Sequence, residues 1–300
     1  MIVNSRIPFS YFFHKIKWDL FISAILSILI YFATTYGNVS FKLPLTFSGL
    51  LGTSISLLLS FKLSQSYDRW WEARKIWGTI LIETRSLIIQ IKNYSKSTEV
   101  ISPALKKITY RQIAWNYALS RSLRNQPPLK HHAHFLDKEE VKEVEKHLNI
   151  PLAILDKQSK DVVDMLENET INQFQQVQID QTISNLGTCM GQAERIKNTY
   201  FPKTYRVTLH LFIYLFLLSL SFSFYLEHSS VFIYTPLLIC IAIPFFLLEK
   251  IAVDMQDPFE NKPTDTSSTA ISTTLEINLK QLINDTDTPE PLTTDTFYIM

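Results

Sequence analysis

Apolar residues along the chain gather into four blocks, Leu20 to Tyr36, Leu43 to Phe61, Val207 to Leu226 and Val231 to Leu248, none of which contains Asp, Glu, Lys or Arg. Each meets the length criterion for a transmembrane helix, about 17 to 25 residues. The pattern predicts four spans in two pairs. The second block does not stop where a simple anchor would. It passes Phe61 and runs on through Asp68, Arg69, Trp70, Trp71 and Glu72 to Trp77 without a Pro or Gly. At about 1.5 Å per residue, Thr53 to Trp77 would reach roughly 38 Å, beyond a hydrocarbon core of about 30 Å. One helix is therefore expected to serve as both a membrane span and a strut in water.

Ser64 to Tyr205 is polar, with breakers confined to Pro103, Asn125 to Pro128, and Pro151. Apolar positions recur there at helical spacing in Ile80, Leu81, Leu87, Ile88 and Ile91, and again in Ile113, Ala114, Tyr117 and Leu119. After the fourth block, Pro258 and Pro263 mark a turn-rich link, and Ile271, Leu275, Leu279 and Leu282 resume a helical period. The last residues have too little apolar content to fold alone, so they are either disordered or laid against another surface. The expected fold class is all-α, four transmembrane helices plus a cytosolic helical region. It divides into a cytosolic N-terminal segment (1–17), transmembrane helices 1 and 2 (18–63), a cytosolic helical domain (64–204), transmembrane helices 3 and 4 (205–249) and a cytosolic C-terminal segment (250–300).

On the second span, Thr53, Leu57 and Phe61 are four residues apart and lie along one face. Gly52, Ser56, Ser60 and Ser64, turned by about 100° per residue, form a second stripe of small residues of the kind that lets membrane helices approach closely. The small stripe suits a neighbouring helix. Leu57 and Phe61 then face either lipid or an axis, and spacing alone supports both readings.

Charge adds orientation. Arg6, Lys15 and Lys17 precede the first span, and basic residues crowd Lys62 to Lys75 and Lys197 to Arg206, whereas the short connections within each pair carry only Lys42. The positive-inside rule puts both termini and the middle region in the cytoplasm of a multi-pass cell-membrane protein. A net charge of +1 argues against a nucleic-acid partner. No small-x-small cleavage site follows Tyr36, so the first span reads as a mature helix and not a signal peptide. Cys189 and Cys240, far apart in predicted helices, read as packing residues.

Candidate chemistry is sparse. No phosphate loop, nucleophile elbow, Cys-x-x-Cys pair or His-Glu-x-x-His helix is present, which weighs against an enzyme. His131, His132 and His134 are close in sequence, but their spacing fits no familiar metal pattern, and a solvated loop before an acidic-basic helix is the simpler reading. His210 is the commonly ionisable group inside a block, one turn from its end. Trp70 and Trp71 suit the membrane interface.

The stretch from Tyr67 to Arg74, with Asp68, Arg69, Trp70, Trp71 and Glu72, resembles the bestrophin family, in particular its bacterial members. Glu194, Arg195 and Ile196 ahead of Pro202, and Asp257, Pro258 and Phe259 after the fourth span, support the resemblance by order and distance. It implies a homopentameric ion channel for small inorganic ions in membrane lipid, lined by the second span and continued by a helical vestibule. It implies a neck at Thr53, Leu57 and Phe61, with a polar outer ring where the family pattern is apolar. A second constriction, a cytosolic aperture, falls at Phe174, or at Ile171 or Val177 if the register slips. Animal members conduct chloride, while bacterial members include cation-selective channels. Asp180 would favour cations, and Lys203 or Arg206 anions. Animal members also bind calcium in a clasp whose positions correspond to Asp254, Asp257, Lys262 and Asp265. A Lys among ligands for a doubly charged ion opposes binding, so neither a calcium site nor any other metal or cofactor is expected. The resemblance also implies that the C-terminal segment wraps neighbouring subunits, giving Leu275, Leu279 and Leu282 a surface. The alternatives are a four-span receptor or scaffold whose cytosolic helices bind a partner, and a membrane enzyme using the histidine cluster.

Overall fold

The structure is a computed structural model that describes residues 7–37, 43–95, 103–199, 202–225, 231–294 and 296–299. Its helices are α1 (Phe9–Tyr36), α2 (Leu45–Tyr94), α3 (Pro103–Leu123), α4 (Lys138–Val144), α5 (Ile150–Glu167), α6 (Gln173–Asn198), α7 (Lys203–Tyr225), α8 (Val231–Gln256) and α9 (Ser268–Leu282), with one 3₁₀ turn at Ala133–Phe135. Among the described residues there is no β-sheet, and α1, α2, α7 and α8 are long and apolar enough to cross a membrane. The connections expected to face outward, residues 38–42 and 226–230, lie outside the described residues, as does Arg6.

The chain forms two compact units, one comprising Asn4–Trp70 and Tyr200–Asp257, the other Trp71–Thr199 and Pro258–Met300 with Met1–Val3. The helix α2 contributes to both. Its length follows from the absence of any breaker: Gly49, Gly52 and Gly78 sit inside it, and there is no proline between Leu45 and Tyr94.

In the first unit α1, α7, α8 and the N-terminal part of α2 pack around Ile55, Leu59, Ile213, Leu217, Leu238 and Phe246. Small residues set the close approaches. Ser23 and Ser27 on α1 are fully buried, Ser27 meets Thr235 of α8 at 3.1 Å, and Ser48 of α2 meets Ser223 of α7 at 2.9 Å. A Cβ on Gly52 would stand 2.9 Å from the ring of Phe216, so glycine is what lets α2 and α7 touch there. Pro236 and Pro244 lie within α8, where an apolar surround and neighbouring helices tolerate them.

The second unit is built around α3, which is buried on every side from Arg111 to Ser120, as a helix enclosed by other helices must be. Buried Arg111, Gln112 and Tyr117 on α3 are therefore paired. Arg111 holds Glu140 and Asp161, Gln112 donates to Thr84 at 3.0 Å, and the Tyr117 hydroxyl donates to Glu276 at 2.8 Å. The same core takes in Trp77, Ile80, Leu87, Ile88 and Ile91 of α2, all fully buried. The helix α5 starts at Asn149, whose side chain accepts the Leu152 N–H, and α6 starts with a capping box between Asn172 and Gln175.

Two expectations change here. Leu275 and Leu279 need no neighbouring subunit, because both are fully buried in this chain's own core, where α9 packs on α3, and Leu282 is packed against it. The histidine cluster is only partly a solvated loop: His131 is exposed, but His132 stacks on Tyr117 with ring centroids 3.8 Å apart and His134 leans on Phe135 at 4.1 Å. Past α9 the chain is laid against the same unit: Tyr110 donates to Asp285, and Lys280 donates to the Asp287 carbonyl at 2.7 Å. Cys189 is buried in α6, but Cys240 is exposed on α8 and so is not a packing residue within the chain.

Candidate functional site

Within the first unit α2 has two contrasting faces. Ser48, Gly52, Ile55, Leu59, Lys62 and Ser66 are buried, spaced by alternate steps of three and four residues that trace one helix face. On another face Thr53, Leu57 and Phe61 point away from the chain's own core, with Leu57 57% and Phe61 58% exposed. The Thr53 hydroxyl donates to the Gly49 carbonyl at 2.8 Å, and the residue is exposed. The small-residue stripe divides. Gly52 packs on α7, while Ser56 and Ser60 are exposed and border a groove of about 410 Å³ with Pro244, Phe245 and Leu248.

The charged stretch that follows is shared between the units. Tyr67 and Trp70 pair with ring centroids 6.0 Å apart, and Asp68 is exposed. Arg69 is partly covered, whereas Trp71 is 46% exposed. Glu72 accepts an ion pair from Arg195, which ties the family-like stretches around Trp71 and Arg195 together within the second unit. Phe174 stands 88% exposed in the first turn of α6, whereas Ile171 is 2% exposed and closed off as an alternative; Val177, at 68%, remains accessible. Asp180 accepts from Ser159 at 3.4 Å, and partial burial pushes its carboxyl above the ordinary carboxylate range.

The four clasp positions do not gather in one unit. Asp254 and Asp257 belong to the first, with Asp254 paired to Lys15; Lys262 and Asp265 belong to the second, with Lys262 paired to Glu260 and Asp265 accepting the Asn261 N–H at 2.6 Å. Among the described residues no three His, Cys, Asp or Glu side chains are grouped as metal ligands, His131, His132 and His134 included.

A second constellation lies where the apolar blocks, cut at their first charged residue, end too early. The helices α1, α2 and α8 continue through Asp19, Lys62, Glu249 and Lys250, so His210 is not the single ionisable group inside them. Counted at about 1.5 Å per residue from the opposite helix ends at Tyr36, Leu45, Tyr225 and Val231, Asp19, Lys62, His210 and Glu249 all come roughly 22 to 27 Å along. These side chains meet. His210 Nε2 is 3.4 Å from Asp19 Oδ1 and its Nδ1 is 3.3 Å from Glu249 Oε2. Lys62 Nζ lies 3.5 Å from Glu249 Oε1, and Lys250 Nζ lies 3.1 Å from Asp19 Oδ2. The Tyr214 hydroxyl donates to Asp19 at 3.1 Å. Lys15 and Asp254, one turn away on α1 and α8, form a second rung, as antiparallel neighbours require. The sequence signal was a charge with apolar residues three and four positions before it, as in Leu58-Leu59-Ser60-Phe61-Lys62.

The family model for Bacterial/Fungal Bestrophin protein matches residues 6–281. The chain belongs to that family. It is 27% identical to the "Voltage-dependent anion channel-forming protein YneE" of Escherichia coli strain K12 over 286 residues, 95% of this chain and 92% of the other. It is 25% identical to the "Voltage-dependent anion channel-forming protein RSc3414" of Ralstonia nicotianae over 248 residues, 82% of this chain and 80% of the other. The crystal structure of a bacterial bestrophin homologue from Klebsiella pneumoniae superposes with a TM-score of 0.83 at 25% identity, covering 90% of this chain and 99% of that one. As a bestrophin, the chain is an all-helical membrane protein, and the two contrasting faces of α2 are the feature its function must explain.

Proposed function

We propose that this bestrophin is an ion channel assembled as a ring of five identical chains, with α2 of each lining a central pore. One α2 face cannot enclose a path by itself, and closed cyclic symmetry supplies the missing walls. The single observation that carries the reading is the exposed row of Thr53, Leu57 and Phe61 on a helix whose other side is buried. In the ring this row forms the neck, with Leu57 and Phe61 as a hydrophobic barrier and Thr53 as a hydroxyl ring that eases wetting. Ser56 and Ser60, with the adjoining groove, receive the neighbouring chain, and Phe174 narrows the cytosolic exit.

Apolar rings gate by width and dewetting and do not choose the sign of an ion. The relatives named as anion channel-forming proteins favour small monovalent anions such as chloride. Both termini and the helical unit lie on the cytoplasmic side by the distribution of Lys and Arg. Bilayer recording of the purified protein under a salt gradient tests this in one measurement. Single-channel steps with a reversal potential toward that of the anion are expected. Silence at every voltage, or a monomeric mass in detergent, would refute the pore, and a cation-directed reversal potential would refute the anion assignment alone.

A further inference from the structure

The cluster of Asp19, Lys62, His210, Glu249 and Lys250 joins all four membrane helices, and Lys62 is the residue next to Phe61. The Lys62 side chain is wholly buried and that of Glu249 only 2% exposed, which makes this the ionic tie that holds α2 beside α8. His210 sits between two carboxylates, one facing each ring nitrogen. A neutral imidazole has one N–H donor and one lone pair, so it can satisfy only one of them; the other carboxylate then faces a lone pair. Adding one proton gives both nitrogens an N–H and satisfies both carboxylates.

We propose that His210 is a proton sensor whose charge state sets how firmly Lys62 and Glu249 hold α2, and so adjusts the neck at Phe61. The inference rests on the pore reading for its output but not for its chemistry. Every group facing His210 enters the balance. The helix α1 supplies Asp19, α8 supplies Glu249, Lys250 and the Phe246 ring, and α2 supplies Lys62 through Glu249. From α7 itself come Tyr214, with its ring 5.2 Å away, and the positive charge of Arg206 near Lys62. With His210 neutral, two carboxylates balance Lys62 and Lys250. With His210 protonated the cluster gains one positive charge, Glu249 is shared between imidazolium and ammonium, and the hold on Lys62 weakens. Imidazole is the side-chain type that exchanges a proton near neutral pH. The helix α2 loosens on acidification, and the phenyl ring of Phe61 can leave the axis.

The test uses the full chain reconstituted in liposomes, with both faces buffered alike, and follows ion flux from pH 8 to pH 5.5 for the parent and His210→Gln. Flux of the parent is expected to rise several-fold as pH falls, while His210→Gln keeps its pH 8 flux throughout. A flat parent profile, or the same rise in His210→Gln, overturns the sensor. A parent that passes no ions at any pH overturns the channel reading instead, and a second arm then decides. NMR of ring-labelled histidine identifies the His210 signal by its loss in His210→Gln and follows its titration in Lys62→Met. Removing the ammonium that shares Glu249 should move that midpoint away from the parent's. An unmoved midpoint refutes the coupling. Where Lys62→Met does not assemble, Lys62→Gln, which keeps a donor toward Glu249, takes its place.

Discussion

Lys62 Nζ and Glu249 Oε1 stand 3.5 Å apart on α2 and α8, with side chains 0% and 2% exposed. Two buried opposite charges cost several kcal/mol each to desolvate, and their attraction roughly returns that cost. Removing only one partner strands the other, at a cost of about 3–5 kcal/mol. Glu249→Leu should therefore melt well below the parent in detergent. The double variant Lys62→Met with Glu249→Leu should recover most of the loss, since it strands no charge from this pair. If the double variant melts lower than either single one, Lys62 and Glu249 do not act as one energetic unit.

Gly52 and Gly49 are three residues apart on α2 and should respond to alanine in opposite ways. A Cβ at Gly49 meets nothing within 4 Å, so Gly49→Ala keeps the gain of about 0.5–1 kcal/mol that alanine has over glycine inside a helix. A Cβ at Gly52 meets the Phe216 ring at 2.9 Å, and that ring is 6% exposed and packed on Phe245 at 5.1 Å. Overpacking of that kind costs about 1–3 kcal/mol, more than the helix gain. Gly52→Ala should lower the melting temperature and Gly49→Ala should not. Phe216→Leu in the Gly52→Ala background should restore part of the loss.

His132 gives the second unit an acid-side sensitivity. Burial, with help from the positive charges of Arg121 and His134, pushes its imidazole down to about 4 from an ordinary 6.5, while Glu276 opposes them. The unfolded chain takes up a proton as pH falls through 6.5, and the folded imidazole does not until about 4. Stability is therefore full above pH 6.5, is lost progressively between there and pH 4, and levels off below. With the ring half-buried, the loss is on the order of 2 kcal/mol. His132→Phe keeps a flat ring on Tyr117 without the proton. Thermal unfolding at pH 7 and pH 4.5 should show a smaller difference for the variant than for the parent; equal differences would remove His132 as the cause.

The blocks of apolar residues were enough to find the four membrane helices, because a bilayer forces uncharged runs of fixed length. The exposed row on α2 was visible as a period of four. Partners were harder to read. Leu275 and Leu279 announced a buried face, but nothing local says that α3 of the same chain covers it. Asp19, Lys62 and Glu249 escaped because each borders an apolar block, with further charges beyond it in the same helix, and looks like the charged end of a span. What makes them a cluster is the tertiary arrangement of α1, α2, α7 and α8. His132 likewise looked solvated because its sequence neighbours His131 and Lys130 are polar, while the ring it covers, Tyr117, is fifteen positions earlier.

Phe174 occupies the first turn of α6 with its ring in the open, and the turn is held by the Asn172–Gln175 capping box and not by that ring. Phe174→Ala should leave the melting temperature unchanged, within about 0.5 kcal/mol, as expected for a surface position. If the ring narrows the exit, the same variant carries a larger single-channel current than the parent. An unchanged current with unchanged stability would move the aperture to Val177, the other accessible apolar side chain nearby.

Leu57 and Phe61 separate the two readings of the exposed α2 face. Both side chains are more than half exposed within the chain, so cutting them to alanine removes little packing from the protomer's own core. If they face lipid, the double variant Leu57→Ala with Phe61→Ala conducts like the parent. If they face the axis, it opens the narrowest apolar stretch, lowers the cost of wetting and raises both unitary conductance and leak several-fold. Thr53→Val runs the other way. It keeps the shape of the outer ring but deletes its hydroxyls, so a wetted neck should dry and conductance should fall. Opposite responses at positions four and eight residues apart on one helix face are what a shared water path demands. A lipid-facing row would give no response at any of the three.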